Sequence, residues 1–213
     1  MTDGAAPPLL GDGKGNYRAM VDRSSATYSP GLKSTLSTAL EKELCVSYVP
    51  MGRLNWNPGW VETPAEELKT LVQNAMKNIP QGWAIDGNYI QKIGFIVQDN
   101  ATDIMWPDPP LILYIPRLFV RTMQRWFQWE EPRSPGCGED TSKGIFFSSK
   151  SVLWRCLTNH SVVRRRCGGM MSRIGIGIGS DIAARRMRRI GGWGGELKAW
   201  LQSIEMLRRD KAL

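Results

Sequence analysis

The sequence predicts an α/β domain, built as a mainly parallel five-stranded sheet with helices on both faces. Three observations predict it. Five short runs of apolar and β-compatible residues alternate with segments whose apolar residues recur at helical spacing, the pattern of strand–helix–strand units. A chain of 213 residues can bury a core without disulfide staples. Hydrophobic residues make up 42% and charged residues 23%, which excludes a wholly disordered chain, and nine tryptophans make the core aromatic-rich.

Taken in order, residues 1–16 carry Asp3, Pro7, Pro8 and a Gly/Lys run at Gly11 to Gly15, and read as a flexible leader. They lack the basic start and apolar middle of a secretory signal. Tyr17 to Val21 is the first strand, expected at the centre of the sheet beside Trp83 to Asp86. The first helix follows from Leu36, Ala39, Leu40 and Leu44, and a strand from Val46 to Val49. The second helix uses Leu68, Leu71, Val72, Ala75 and Met76, with Thr63 as its expected cap, Pro64 in its first turn and Glu66 at the capping-box position. Strands at Trp83 to Asp86 and Asp103 to Trp106 precede a helical region over 110–129. Residues 132–144, rich in Pro, Gly and Ser, interrupt it as a loop. A helix from Ser151 to about Met171, a strand at Met187 to Ile190 and a helix over Gly195 to Leu207, with Leu197, Trp200, Leu201 and Ile204 on one side, complete the alternation. Residues 17–207 form the domain and 208–213 a tail.

Charge is distributed unevenly. Residues 1–116 hold 9 basic and 12 acidic side chains and residues 117–213 hold 19 and 8, for a net +8. The second half therefore favours an anionic partner. The longest apolar region, near Leu111 to Val120, is broken by Pro116 and Arg117 and is too short to span a membrane, so a soluble, cytoplasmic protein is expected. The four cysteines show no C-x-x-C pair, which favours reduced thiols over a zinc site.

The stretch Gly31-Leu32-Lys33-Ser34-Thr35-Leu36 stands between the first strand and the first helix, where a phosphate loop belongs. In such a loop glycines let backbone N–H groups wrap the phosphates, the lysine supplies a point charge, and the next hydroxyl ligates magnesium. The match is defective. Thr27 and Leu32 occupy the two glycine positions of G-x-x-x-x-G-K-[ST], and Pro30 removes one N–H donor. Taken alone, Lys-Ser-Thr before a helix is more often an ordinary helix start.

Set beside Leu54-Asn55-Trp56-Asn57-Pro58-Gly59-Trp60, Trp83 to Tyr89 (WAIDGNY), Asp103 to Pro109, the arginines of the following helix and Trp154 to Arg166, however, this segment makes residues 17–207 resemble the P-loop kinases. The likeness is to their adenylate-kinase-like, topology-modulation-type branch, with a degraded phosphate loop. The spacing of the blocks carries it. The resemblance implies a three-layer kinase-like fold with a lid at about 117–170, ATP and Mg²⁺ as cofactors, and a nucleotide or other small-molecule acceptor. About five extra residues lie between Val21 and Lys33, so the loop is remodelled or decaying. Gly52 stands where similar proteins carry an acidic residue.

The resemblance implies roles residue by residue. Gly31, Lys33, Ser34 and Thr35 hold the phosphates, with Arg164 and Arg165 from the lid, and Ser34 and Asp108 serve magnesium. Lys33, Asp86, Arg121 and Arg125 are the catalytic set. Arg117, Arg121 and Arg125 recur every four residues and share one side of a helix, where arginine can grip equatorial phosphate oxygens in bidentate fashion. Blander readings stand beside these. Asp86-Gly87-Asn88 is also an ordinary turn, Asp108 a solvated residue before prolines, and Arg164 to Arg166 a complement to a helix dipole. His160 reads first as packing, Trp193 as a plug for the core or, by the resemblance, as a ring stacked at the adenine, and Trp56 and Trp60 as an anchor for their loop or an aromatic wall for an acceptor. Three functions compete: a small-molecule or nucleotide kinase, an inactive descendant, and a nucleic-acid binder using Arg185, Arg186, Arg188 and Arg189.

Overall fold

The computed structural model describes residues 7–22, 30–126 and 152–211. Its elements run β1 (Tyr17–Val21), α1 (Pro30–Leu44), β2 (Ser47–Pro50), α2 (Met51–Asn55), β3 (Trp56–Asn57), β4 (Val61–Glu62), α3 (Ala65–Lys77), β5 (Gly82–Asp86), α4 (Ile90–Ile93), α5 (Ile96–Asn100), β6 (Asp103–Pro107), α6 (Leu111–Trp126), α7 (Val152–Ile174), β7 (Met187–Ile190) and α8 (Gly195–Lys211). All five expected strands are present, each within one residue of its expected bounds.

Five strands form one sheet in the order β2-β5-β1-β6-β7, and every neighbouring pair is parallel. β1 sits at the centre, with Tyr17 opposite Gly82 and Val21 opposite Asp86. Successive residues of a strand face opposite sides, and here both sides are dry. Met20, Trp83, Ile85, Ile104, Trp106 and Met187 pack with Leu68 and Val72 of α3 and Cys167 of α7. Ala19, Val21, Ala84, Met105 and Ile190 pack on the other face with Leu36 and Leu40 of α1 and Trp200 and Ile204 of α8. The architecture is α/β with a five-stranded parallel sheet flanked by helices, and it is compatible with a P-loop-like fold.

Several expectations are revised by packing. Thr63 does not cap α3. Its hydroxyl donates to the Leu54 carbonyl at 2.8 Å, it is buried, and Pro64 takes the N-cap position. Leu71, expected on the buried side of that helix, is 39% exposed. Residues 7–11 lie against the sheet and its helices. Leu9 is buried among the α1–α8 side of the core, the Leu10 and Gly11 amides donate to the Asp103 carboxylate at 2.7 and 3.0 Å, and Trp200 Nε1 donates to the Pro8 carbonyl at 2.9 Å. A small antiparallel pair, β3 with β4, carries Trp56 and Trp60 edge to face at 5.5 Å between centroids. The expected loop at 132–144 lies outside the described residues. Among the described residues, no helix is long and apolar enough to cross a membrane.

Candidate functional site

β1 connects onward toward β2, on one side of it, and β6 onward to β7, on the other. Adjacent parallel strands whose connections leave in opposite directions open a crevice beyond their carboxyl ends, and ligands of such sheets bind there. Two carboxylates occupy it. Asp22 directly follows β1 and Asp108 directly follows β6, and both are buried. Their backbones extend the sheet by one residue, the Asp22 amide donating to the Met105 carbonyl and the Asp108 amide to the Ile190 carbonyl, each at 2.8 Å.

Each carboxylate is held by cations from other elements. Asp22 Oδ1 accepts from Asn88 Nδ2 at 2.6 Å and from an Arg166 terminal nitrogen at 3.1 Å, and the Cys167 thiol lies 3.7 Å from Oδ2. Asp108 Oδ2 accepts from Nε and a terminal nitrogen of Arg189, at 3.0 and 2.7 Å, and from Arg164 at 3.1 Å. The Arg189 guanidinium also lies 5.3 Å from the centre of the Trp106 ring. Arg164 and Arg189 are about half exposed, so each keeps donor capacity facing solvent beside its carboxylate. Burial pushes the Cys167 thiol up to about 12, helped by Asp22 and opposed by Arg166, so this sulfur is an inert neutral group. Burial and then Arg164 push His160 below its ordinary value, while Asp108 pulls it up. The imidazole therefore stands one helical turn from Arg164, mostly uncharged at neutral pH.

The carboxyl end of β5 is built differently. Asp86 ends β5 and accepts the Tyr48 hydroxyl on Oδ2 at 2.8 Å. Gly87 follows with φ +109°, a left-handed turn open to glycine, where a Cβ would stand 3.2 Å from that of Met51. That turn swings Asn88 back under Asp22. Further out, Lys92 bridges Glu62 at 2.5 Å, Asn55 at 2.9 Å and the Thr63 carbonyl at 3.3 Å, tying the Trp56–Glu62 hairpin to α4.

The structure thus brings Asp108 and Arg164 together and sets Asp86 on an adjacent part of the same sheet edge. Gly31, Lys33, Ser34 and Thr35 fall in the first turns of α1, which opens at Pro30, and Arg121 and Arg125 fall on α6; their side chains lie outside the description. Arg165 is exposed between its two engaged neighbours. Trp193 is 71% exposed and so does not plug the core. Instead Glu196 secures that Gly-rich connection, accepting the Gly191 amide at 2.6 Å. Asp22 belongs to no motif of the sequence, and Arg166 and Arg189, which stand in arginine clusters there, take different partners in the fold from those the clusters suggest. A polar residue directly after the central strand is the signal that points to Asp22, whereas nothing in the spacing of α7 or β7 shows which arginines turn inward.

Asp108 Oδ2 is not clear to ligate a magnesium ion directly, because guanidinium donors from two arginines occupy it. Among the described residues, no group of three or more His, Cys, Asp and Glu side chains could hold a metal. No protein-family model matches the chain, and no curated protein is significantly similar to it.

Proposed function

We propose that the chain binds the phosphates of a nucleotide, ATP being the expected one, in the crevice between β1 and β6, and that it is a kinase-like protein whose phosphoryl transfer to a small-molecule acceptor is slow or lost. The observation that carries this reading is the set of guanidinium groups from α7 and β7 drawn to the carboxyl end of the sheet at its switch point. Arginine forks there match phosphate oxygens, and half-exposed guanidiniums can exchange a carboxylate oxygen for a phosphate one. Asp86, beside Tyr48, is the candidate base for an acceptor hydroxyl. Two features argue for impaired transfer. A buried carboxylate stands at the first residue after β1, and Pro30 and Leu32 interrupt a backbone cradle; losing one preorganised donor costs about 2–4 kcal/mol of transition-state stabilisation.

The arginines of the 185–189 cluster are largely engaged within the fold. Arg185 donates to the Gly179 carbonyl, Arg186 to that of Ala101 and Arg188 to that of Pro7. This counts against an open nucleic-acid surface. Titration with a fluorescent ATP analogue, with and without magnesium, tests the reading. Saturable binding displaced by pyrophosphate is expected, and it should weaken in Arg164→Gln and in the Arg121→Glu/Arg125→Glu double variant. Binding of long polyanions at low salt, with no competition by ATP, would sink it.

A further inference from the structure

Asp22 is the most enclosed charged side chain of the site, and the three described contacts of its carboxylate come from two segments far apart in sequence. Asn88 reaches it from the turn after β5, while Arg166 and Cys167 reach it from α7. Asp22 stands directly after β1, at the carboxyl end of the sheet and beside its switch point, where ligands of such sheets bind. A carboxylate and a phosphate compete for the same donors, because each offers oxygens to guanidinium and amide N–H groups. They also repel one another in a site of low dielectric.

Resting on the nucleotide reading above, we propose that Asp22 is a built-in anion that occupies a phosphate position and keeps Arg166 engaged, so that Arg166 is a further phosphate-binding residue held in reserve. The geometry accounts for the burial. Asn88 and the Asp22 backbone fix the carboxylate in place, so it need not be displaced by solvent fluctuation. The Arg166 side chain is 37% exposed, so part of it faces solvent beside the carboxylate. Asparagine at this position keeps an oxygen for Asn88 and loses the charge that holds Arg166.

Calorimetric titration of the full chain with pyrophosphate and with ATP tests this. Asp22→Asn should bind pyrophosphate about tenfold tighter or more than the unaltered chain, the effect of removing one charge a few ångströms from the ligand. The double variant Asp22→Asn/Arg166→Gln should lose most of that gain. Asp22→Ser, whose hydroxyl can still accept from Asn88, replaces Asp22→Asn if the latter does not fold, and the same gain is expected. A folded Asp22 variant that binds no tighter overturns the proposal, and so does a double variant that keeps the whole gain. The two readings separate cleanly. ATP binding by the unaltered chain without a gain in Asp22→Asn sinks only the reserve arginine, whereas no binding by either protein sinks the nucleotide site as well.

Discussion

Cys167 illustrates how one residue's chemistry is set by what encloses it. The thiol touches a carboxylate and is closed off by the α7 side of the core, and both effects favour the neutral form. We expect native protein at pH 8 to be alkylated at exposed Cys45 but not at Cys167, with labelled peptides read by mass spectrometry. Rapid labelling of Cys167 would show that α7 leaves the sheet easily. The sign of the linked stability follows. Because the folded thiol titrates at about 12 and the unfolded one near 9.0, its contribution is complete below about 9 and is lost as pH rises toward 12. Cys167→Ala should flatten that part of the alkaline unfolding profile. Nothing in the sequence separates Cys167 from Cys45, since enclosure by a distant aspartate is a property of the assembled sheet.

At the scale of elements, the periodicities that sequence carries best are those of long amphipathic helices and apolar strands, and these are the parts of the fold that were legible. β3 and β4 have two residues each, and α2, α4 and α5 at most five, too short for any period to show. The cap of α3 was misread for a tertiary reason: Thr63 satisfies the Leu54 carbonyl across the hairpin instead of the amides of its own helix. Gly82 sets where β5 can begin. It has φ +119°, and a Cβ there would lie 2.3 Å from the Tyr17 carbonyl oxygen, on the central strand itself. Gly82→Ala should cost about 3 kcal/mol or more, through both the backbone conformation and the clash with β1. Equilibrium denaturation reads this as a lowered midpoint, and a change under 1 kcal/mol would mean that the β5–β1 register tolerates a shift.

Over the whole molecule, the sheet's two ends have separate duties, the carboxyl end gathering Arg164, Arg166 and Arg189 and the amino end receiving residues 7–11. Asp103, at the start of β6, accepts two backbone amides of that segment and the Thr102 hydroxyl at 2.8 Å. Beside it, burial pushes the Arg188 guanidinium's pKa down while Asp103 pulls it up. Asp103→Ala should therefore cost about 2–4 kcal/mol and open residues 7–16 to proteolysis, with the folded core remaining intact. A variant equally stable and equally resistant would show that Leu9 and Trp200 alone hold the segment. Asp86 and Asp108 stand out in the sequence through the likeness to P-loop kinases and through their places at and just after the ends of strands that alternation reveals; the Asp22–Arg166 pairing does not, because only the assembled fold makes residues 22 and 166 neighbours. That same order bears on how the chain comes into being. The central strand is the first to be synthesised, yet its nearest partner, Gly82 opposite Tyr17, follows 65 residues later, and Asp103 opposite Ala19 follows 84 residues later. A nascent chain must shelter an apolar strand with two open edges until both arrive, which makes slow acquisition of structure and a need for chaperones during translation the natural cost of this topology.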